Sequence, residues 1–157
     1  MIKAILACDD AWGMGKDGGL PWPNNPADLK WFKEMTLNGT VVMGRRTWES
    51  LPLKPLPNRK NIVVSNTMKQ QKNIEIVRSD IYKSRMDLLS KNDNTWIIGG
   101  CHLIENSLPI IDEFWFSRIS GTYDCDTFLP RTLIELTFEL YSSQLEGDVY
   151  IDKWKKI

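Results

Sequence analysis

Apolar and β-branched residues occur in short runs along the chain, and each run is followed by a polar or glycine-containing segment. Such runs predict β-strands. They cover residues 2–8, 40–44, 61–65, 74–77, 95–100, 112–120, 137–144 and 148–155. The first five are nearly continuous in apolar residues, which is typical of strands buried on both faces. The last three alternate more and have no helical pattern between them, so we expect them to end the sheet with antiparallel pairing.

Helical patterns lie between the early strands, over residues 26–37, 45–51, 80–90 and 101–108. This alternation predicts an α/β domain with a central, mostly parallel mixed sheet of about eight strands, antiparallel at the C-terminal end and flanked by about four helices. No internal repeat or linker divides the chain, and the polar and proline-rich segments are short enough to be loops. We therefore expect one domain over residues 1–157.

Composition and charge narrow the classes of partner. The chain has 157 residues, 42% of them hydrophobic, and its 20 basic side chains balance 20 acidic ones. Without a block of like charge, neither nucleic acid nor a membrane is an expected partner. The N-terminal apolar run is too short for a signal sequence or a spanning helix. Three cysteines without C-x-x-C spacing argue against a disulfide framework and a zinc site, so we expect a cytoplasmic protein without a bound metal.

One acid, Asp28, stands among apolar and aromatic residues in the segment GLPWPNNPADLKWFK. Asn25 and Pro26 are typical of a helix start, so Asp28 could be an ordinary acid of the first helical turn. Its helix face also carries Phe32, and no basic residue is well placed to pair with it. Burial would then raise the pKa of Asp28, and its carboxylate could bind a flat, amidine-like ligand through two parallel hydrogen bonds. The residues alone leave both interpretations open.

Two predicted strand-to-helix turns contain glycine and resemble anion cradles. In the first, Gly44 precedes Arg45, Arg46 and Thr47, and in the second, Gly99 and Gly100 precede Cys101 and the single histidine, His102. Glycine is equally the residue of a tight turn, and the arginines could be solvated surface charges. A dinucleotide that carries a pyrophosphate and an extra phosphate would use both turns. The arginines would favour a 2′-phosphate, and hence NADPH over NADH. The spacing does not match the G-x-G-x-x-G fingerprint.

The segment MGKDGGLPW, residues 14–22, has the composition of a mobile loop that could cover a ligand, or of an ordinary surface loop. The motifs GLPWPNNPADLKWFK, VVMGRRTWESL, PLPNRKNIVVS, WIIGG and DTFLP, in this order and spacing, resemble dihydrofolate reductase in its bacterial-type, single-domain form. The resemblance spans nearly the whole chain. It implies NADPH-dependent reduction of 7,8-dihydrofolate to 5,6,7,8-tetrahydrofolate, by hydride transfer to C6 and protonation of N5. Tetrahydrofolate supplies one-carbon metabolism and thymidylate synthesis, and the resemblance therefore also implies an antifolate target.

The resemblance also implies roles for individual residues. Asp28 would bind the 2-amino group and the neighbouring ring nitrogen of the pterin, Trp22 would order a water beside it, and Leu20 would lie on the loop that admits the proton-carrying water. Ile5, Ala7, Leu29, Phe32, Leu51, Leu56 and Ser117 would line the substrate site, with Arg59 paired with the α-carboxylate of the glutamate tail. NADPH would be bound by Ala7, Met14, Gly15, Gly19, Gly44, Arg46, Thr47, Ile98, Gly99, Gly100, Cys101, His102 and Leu103. Arg45, Ser65 and Asn66 would hold its 2′-phosphate, and Arg78 would lie along the adenine.

Five residues depart from the family pattern, and one of them, Leu20 in place of methionine, is a shape-conserving change on the loop. Asn58 stands where many members have glycine, and it could mimic glycine by adopting a positive φ. Cys101 replaces a common third glycine, Ile104 an aromatic residue with a hydroxyl, and Ser117 a threonine whose hydroxyl it keeps. These changes bear on cofactor affinity and inhibitor response rather than on the reaction class.

Two further functions stay open beside the one that the resemblance implies. One is an NADPH reductase of another heterocycle, such as a riboflavin-pathway pyrimidine intermediate. The other is a non-catalytic folate- or nucleotide-binding component of a larger assembly. The usual state of the family predicts a monomer that acts on a small-molecule substrate.

Overall fold

The computed structural model describes residues 1–157, and its elements follow the predicted order. The strands are β1 (Ile2–Asp9), β2 (Gly13–Gly15), β3 (Thr40–Gly44), β4 (Lys60–Val64), β5 (Ile74–Val77), β6 (Thr95–Gly99), β7 (Glu113–Ile119), β8 (Thr127–Phe128), β9 (Phe138–Glu146) and β10 (Val149–Lys156). The helices are α1 (Pro26–Thr36), α2 (Arg45–Ser50), α3 (Tyr82–Leu89), α4 (Cys101–Ser107) and α5 (Arg131–Thr137). Every predicted strand and helix is present, with ends that differ from the prediction by two residues or fewer.

Eight of the strands form one mixed sheet in the order β5-β4-β3-β6-β1-β7-β10-β9. The pairs β5–β4, β4–β3, β3–β6 and β6–β1 are parallel, whereas β10 is antiparallel to both β7 and β9. The strand β3 is buried along its centre, because Val41, Val42 and Met43 are all inaccessible to solvent. The predicted fold class, a mostly parallel sheet that ends in antiparallel strands, is confirmed.

The C-terminal third holds elements that the pattern did not predict. The expectation that no helix interrupts its strands is wrong, because α5 precedes β9 and buries Ile134. The short strands β2 and β8 form a separate two-stranded sheet. Strands of three and two residues are too short to show an alternating pattern, and two of the three residues in β2 are glycine. None of the five helices is both long and apolar enough to cross a membrane.

The first compact unit comprises Met1–Ala4 and Thr36–Ile111. Its core contains Val41, Met43, Trp48, Val63 and Ile74, all of them buried. These side chains come from β3, β4, β5 and α2, so the strand ends and the short helix are fixed by one apolar cluster. Burial of each large side chain contributes about 1.5–3 kcal/mol, which holds the strand-to-helix turns in place.

The second compact unit comprises Ile5–Met35 and Asp112–Ile157. Aromatic rings dominate its core. Phe114 meets Phe138 edge to face with ring centroids 4.9 Å apart, and Trp12 meets Phe116 in the same way at 5.2 Å. Trp12 has a positive φ of 65°, a conformation that this packing holds in place. The core therefore fixes the chain immediately after β1, where the glycine-rich loop begins.

Candidate active site

Asp28 lies in the first turn of α1, where the sequence predicted it. The Asn25 side chain caps this helix, since its Oδ1 accepts a hydrogen bond from the Asp28 backbone N–H at 3.0 Å. The Asn25 carbonyl accepts the N–H of Leu29 at 3.1 Å. The cap uses the backbone of Asp28 and leaves its carboxylate for other partners. Asn25 is therefore the N-cap residue, as predicted.

The carboxylate of Asp28 is buried, and the residue is only 7% exposed. Burial raises the pKa of Asp28, as predicted, and the Ser117 hydroxyl opposes this rise. Ser117 is itself fully buried, and its Oγ stands near the acid without hydrogen-bond geometry to any protein group. No basic side chain pairs with Asp28. A buried acid without a cation can accept hydrogen bonds from the adjacent N–H groups of an amidine-like ligand.

The residues around Asp28 differ in exposure. Trp22 is buried and meets Tyr123 edge to face, with ring centroids 6.1 Å apart. Phe32 is half-buried on the same helix as the acid. Leu20 and Leu29, by contrast, are 61% and 48% exposed. The remaining predicted residues of this unit lie on β1, where Ile5 is buried and Ala7 is half-buried. Leu29, which follows the buried acid directly in the chain, keeps an exposed side chain that is available to an apolar ligand.

The glycine-rich loop is held in place over much of its length. β2 pairs with β8, so that Gly13 faces Phe128 and Gly15 faces Thr127. Asp126 donates its N–H to the Gly15 carbonyl at 2.9 Å and accepts the N–H of Asp17 at the same distance. Asp17 and Gly18, with φ of 51° and 80°, form a tight turn closed by two hydrogen bonds between Lys16 and Gly19. It stays a prediction that the loop of residues 14–22 covers a ligand.

The two glycine turns lie side by side, as the neighbouring strands β3 and β6 require. A Cβ atom on Gly99 would lie 3.3 Å from Thr47 Oγ1, and one on Gly100 would lie 3.6 Å from the same atom. Gly99 has a φ of +133°, which only glycine adopts readily. The backbone of one turn therefore approaches the hydroxyl at the start of α2 closely. Such an arrangement of glycine, backbone N–H and hydroxyl groups suits a pyrophosphate.

The other predicted cofactor residues differ in exposure. Gly44 ends β3, Arg46 is exposed in the first turn of α2, and Ile98 is half-buried on β6. On α4, Cys101 is half-buried, His102 is exposed with its Nε2 3.2 Å from Asn106 Nδ2, and Leu103 is buried. Burial raises the pKa of the Cys101 thiol to about 11, so it is a poor nucleophile at neutral pH. Arg78 is exposed just beyond β5, and in the second unit Met14 and Gly15 are half-buried and Gly19 is exposed.

Arg45, Ser65 and Asn66, predicted for the 2′-phosphate, lie in two separate hydrogen-bond groups. Arg45 Nη1 donates to Thr67 Oγ1 at 2.6 Å, and Thr67 Oγ1 lies 3.4 Å from Ser65 Oγ. The side chain of Asn66 bonds to both the backbone N–H and the hydroxyl of Ser79. Thr67 and Ser79, which complete these groups, were not predicted. A hydroxyl three residues beyond the end of β4 is the one sequence signal that could have indicated Thr67.

Arg59 is half-buried in the first unit, and burial lowers its pKa below the usual value of an arginine. Its Nε donates to the Pro57 carbonyl at 3.0 Å and its Nη1 to Thr36 Oγ1 at 3.1 Å. Asn58, just before it, has a φ of 61°, so the predicted substitute for glycine is confirmed. The predicted substrate residues Leu51 and Leu56 are half-buried and pack against the core cluster of this unit. These two hydrogen bonds orient the guanidinium group of Arg59.

The sequence model of the dihydrofolate reductase family matches residues 1–152. The chain is 35% identical over 144 residues to dihydrofolate reductase of Bacillus subtilis, which covers 92% of this chain and 83% of that protein. It is 34% identical over 143 residues to dihydrofolate reductase of Haemophilus influenzae, with 91% and 81% covered.

Two other comparisons concern length and fold. The chain spans less than a third of the bifunctional dihydrofolate reductase-thymidylate synthases that it matches, 28% of one from Arabidopsis thaliana and 30% of that from Glycine max. Among solved structures, dihydrofolate reductase from Enterococcus faecalis, complexed with NADP(H) and RAB-propyl, superposes with a TM-score of 0.83 at 29% identity. That match covers 99% of this chain and 96% of the other, and it agrees with the predicted fold class.

Proposed function

The chain belongs to the dihydrofolate reductase family, and we propose that it reduces 7,8-dihydrofolate to 5,6,7,8-tetrahydrofolate with NADPH as reductant. The observation that carries the proposal is Asp28, a buried carboxylate on α1 without a basic partner. A buried charge is costly unless something pairs with it. The 2-amino group and adjacent ring nitrogen of a pterin present two parallel donors to such a carboxylate.

Asp28 acts on the pterin through these hydrogen bonds. Its raised pKa reflects an environment of low polarity, where the charge on a carboxylate polarises a bound ring strongly. This polarisation makes N5 more basic. Trp22, buried next to Tyr123, orders the water that carries the proton, and the loop around Leu20 controls how that water enters. The Ser117 hydroxyl is free to complete the hydrogen bonds around the acid and its ligand.

The first compact unit carries residues that fit NADPH. Gly99 and Gly100 leave the space beside Thr47 that a Cβ atom would fill, which lets backbone N–H groups reach a pyrophosphate. Arg45, with Ser65 and Thr67 close by, offers a guanidinium and two hydroxyls to a 2′-phosphate. When bound, NADPH supplies the hydride that adds to C6. The residues of the chain orient both ring systems and keep bulk water away.

Arg59 binds the glutamate tail of the substrate in this proposal. Its guanidinium presents a planar fork suited to a carboxylate, and the two bonds to Pro57 and Thr36 preset its direction. Leu51 and Leu56, packed on the core of the same unit, line the aminobenzoyl part. This requirement for a glutamate tail favours a folate over other heterocycles.

The proposal extends to organisation and location. Residues 1–157 act as one catalytic domain, as a monomer in the cytoplasm, on a small molecule and without nucleic acid. The equal numbers of acidic and basic residues support the absence of a polyanionic partner. Sedimentation of the purified chain with and without NADPH tests the monomer, and a dimer mass would overturn it.

Turnover tests the function directly. Purified protein is mixed with dihydrofolate and NADPH, the loss of reduced-cofactor absorbance is followed, and NADH is run in parallel. Rapid turnover that prefers NADPH is expected. A folded protein that binds NADPH but leaves dihydrofolate unchanged would exclude the proposal and favour another substrate or a binding role.

A further inference from the structure

Asp9, the last residue of β1, has an environment that the reaction described above does not require. It is 1% exposed, yet its carboxylate accepts four hydrogen bonds. Oδ1 accepts the backbone N–H groups of Ala11 at 2.9 Å and Gly13 at 2.8 Å. Oδ2 accepts the backbone N–H of Tyr123 at 3.1 Å and the thiol of Cys125 at 3.4 Å. One oxygen thus bonds to residues 11–13 and the other to residues 123–125.

This arrangement needs a charged carboxylate. Burial by itself raises the pKa of Asp9, but the hydrogen bonds from Gly13, Tyr123, Cys125 and Ala11 outweigh it and lower the pKa below 3.8. The group is therefore ionised at neutral pH and both oxygens accept. An amide in the same place has one acceptor oxygen, and its NH₂ group would face donors on the other side.

The two segments that Asp9 joins are in direct contact. A Cβ atom on Gly13 would lie 2.5 Å from Cys125 Cβ, so nothing larger than glycine fits between them. Beyond this point the chain continues through β2 to the exposed Leu20 and the buried Trp22. Asp9 therefore lies at the base of the loop formed by residues 12–22, and residues 121–126 are the surface against which that loop begins.

We propose that Asp9 is a positioning residue for hydride transfer: by bonding to residues 11–13 and 123–125 together, it sets where the loop carrying Leu20 and Trp22 leaves the sheet. The inference rests on the proposed function, since it requires that loop to exclude water and to order the proton-carrying water. Asp9 itself touches neither substrate nor cofactor in this proposal. Its effect is on how often the loop occupies the productive position.

The decisive variant is Asp9→Asn, compared with Asp124→Asn. Asp124 lies on the same facing segment, its side chain is 95% exposed, and its contact is with Lys16 at 3.4 Å. A second variant, Gly13→Ala, adds a methyl group that pushes residues 11–13 away from Cys125, and it keeps the Asp9 carboxylate. Each protein is measured for kcat, for the KM of dihydrofolate, for the kinetic isotope effect with deuterated NADPH, and for amide hydrogen exchange across the chain.

For Asp9→Asn and Gly13→Ala we expect exchange in residues 11–20 and 121–126 to accelerate about tenfold or more, the loss expected for hydrogen bonds to a charged acceptor. Exchange in β3 and β4 should not change. The kcat should fall about tenfold with a larger isotope effect, because hydride transfer becomes limiting, while the KM should change little since Asp28 is intact. Asp124→Asn should match the wild type.

Three results would overturn the inference. One is unchanged exchange in both segments, and another is accelerated exchange without any loss of kcat. The third is faster exchange throughout β3 and β4, because that would show general destabilisation. An inactive wild-type protein would instead refute the proposed function, and the exchange measurements would still decide whether Asp9 holds the two segments together.

Discussion

The substitution Asp28→Asn removes the charge from the candidate acid with almost no change of shape. The wild-type carboxylate is buried and has no basic partner, so no other protein charge can replace it. The substituted amide keeps one acceptor oxygen, so the loss lies between one and two hydrogen bonds to a charged group. This amounts to about 2–5 kcal/mol. The expected fall in kcat/KM for dihydrofolate at neutral pH is roughly 30- to 5,000-fold.

The same change should not harm the fold. Because the folded-state pKa of Asp28 lies above the ordinary value of 3.8, ionised Asp28 costs folding free energy at every pH above that value. The variant has no such cost. Its melting temperature at neutral pH should therefore equal or exceed that of the wild type, and the difference should disappear as the pH falls below 3.8. The helix cap is retained because Asn25 bonds to the backbone of residue 28.

The assay is steady-state turnover from pH 5 to pH 9, with melting temperatures measured at the same points. Activity of the variant should recover partly in acid, where dihydrofolate arrives already protonated. Glu34→Gln is the matched control, since Glu34 lies on the same helix and only its exposed pair with Lys30 is lost. Wild-type rates for Asp28→Asn at neutral pH, or a large loss of thermal stability, would refute the role assigned to the acid.

Three further substitutions test the other parts of the site. Arg45→Gln should raise the KM of NADPH by about tenfold or more and leave that of NADH unchanged, and equal effects on both cofactors would exclude a 2′-phosphate contact. Arg59→Lys should raise the KM of dihydrofolate by about tenfold with kcat nearly constant, because lysine cannot form the paired bonds, and a fall in kcat alone would argue against a contact with the glutamate tail. Gly99→Ala, which strains a φ of +133° and approaches Thr47, should weaken NADPH in fluorescence titrations more than dihydrofolate. Undiminished NADPH binding would show that this turn is not part of the cofactor site.

Much of the fold was predictable because its main strands are long and continuous in apolar residues. β3 and β4 come from TVVMG and NIVV, patterns that leave few alternatives to buried strands. The helix α5 was missed because it has only seven residues and only Ile134 of them is buried, so the segment is too short to show a helical period. The strands β2 and β8 form only because they pair with each other, and more than a hundred residues separate them in the sequence. A local sequence pattern cannot show such pairing.

The candidate site was predictable where its residue types are unusual for their position. Asp28 among aromatic residues and Asn58 with its positive φ are of this kind. Thr67 was not predicted, because threonine in a polar loop is common and only its bond to Arg45 sets it apart. Asp9 was also missed as a buried acid. Two of its four hydrogen-bond donors, Tyr123 and Cys125, lie more than a hundred residues away in the sequence, and no sequence pattern shows that they approach Asp9.

The division of β1 has a consequence for how the chain folds. Its first residues, Ile2–Ala4, belong to one compact unit and pair with Thr95–Ile97, and the rest of the strand belongs to the other unit. The partner strand is made about ninety residues later. Such distant pairing raises the contact order and slows folding. During synthesis the first strand must stay unpaired on the ribosome until β6 has emerged, which exposes an apolar segment of nascent chain to chaperones.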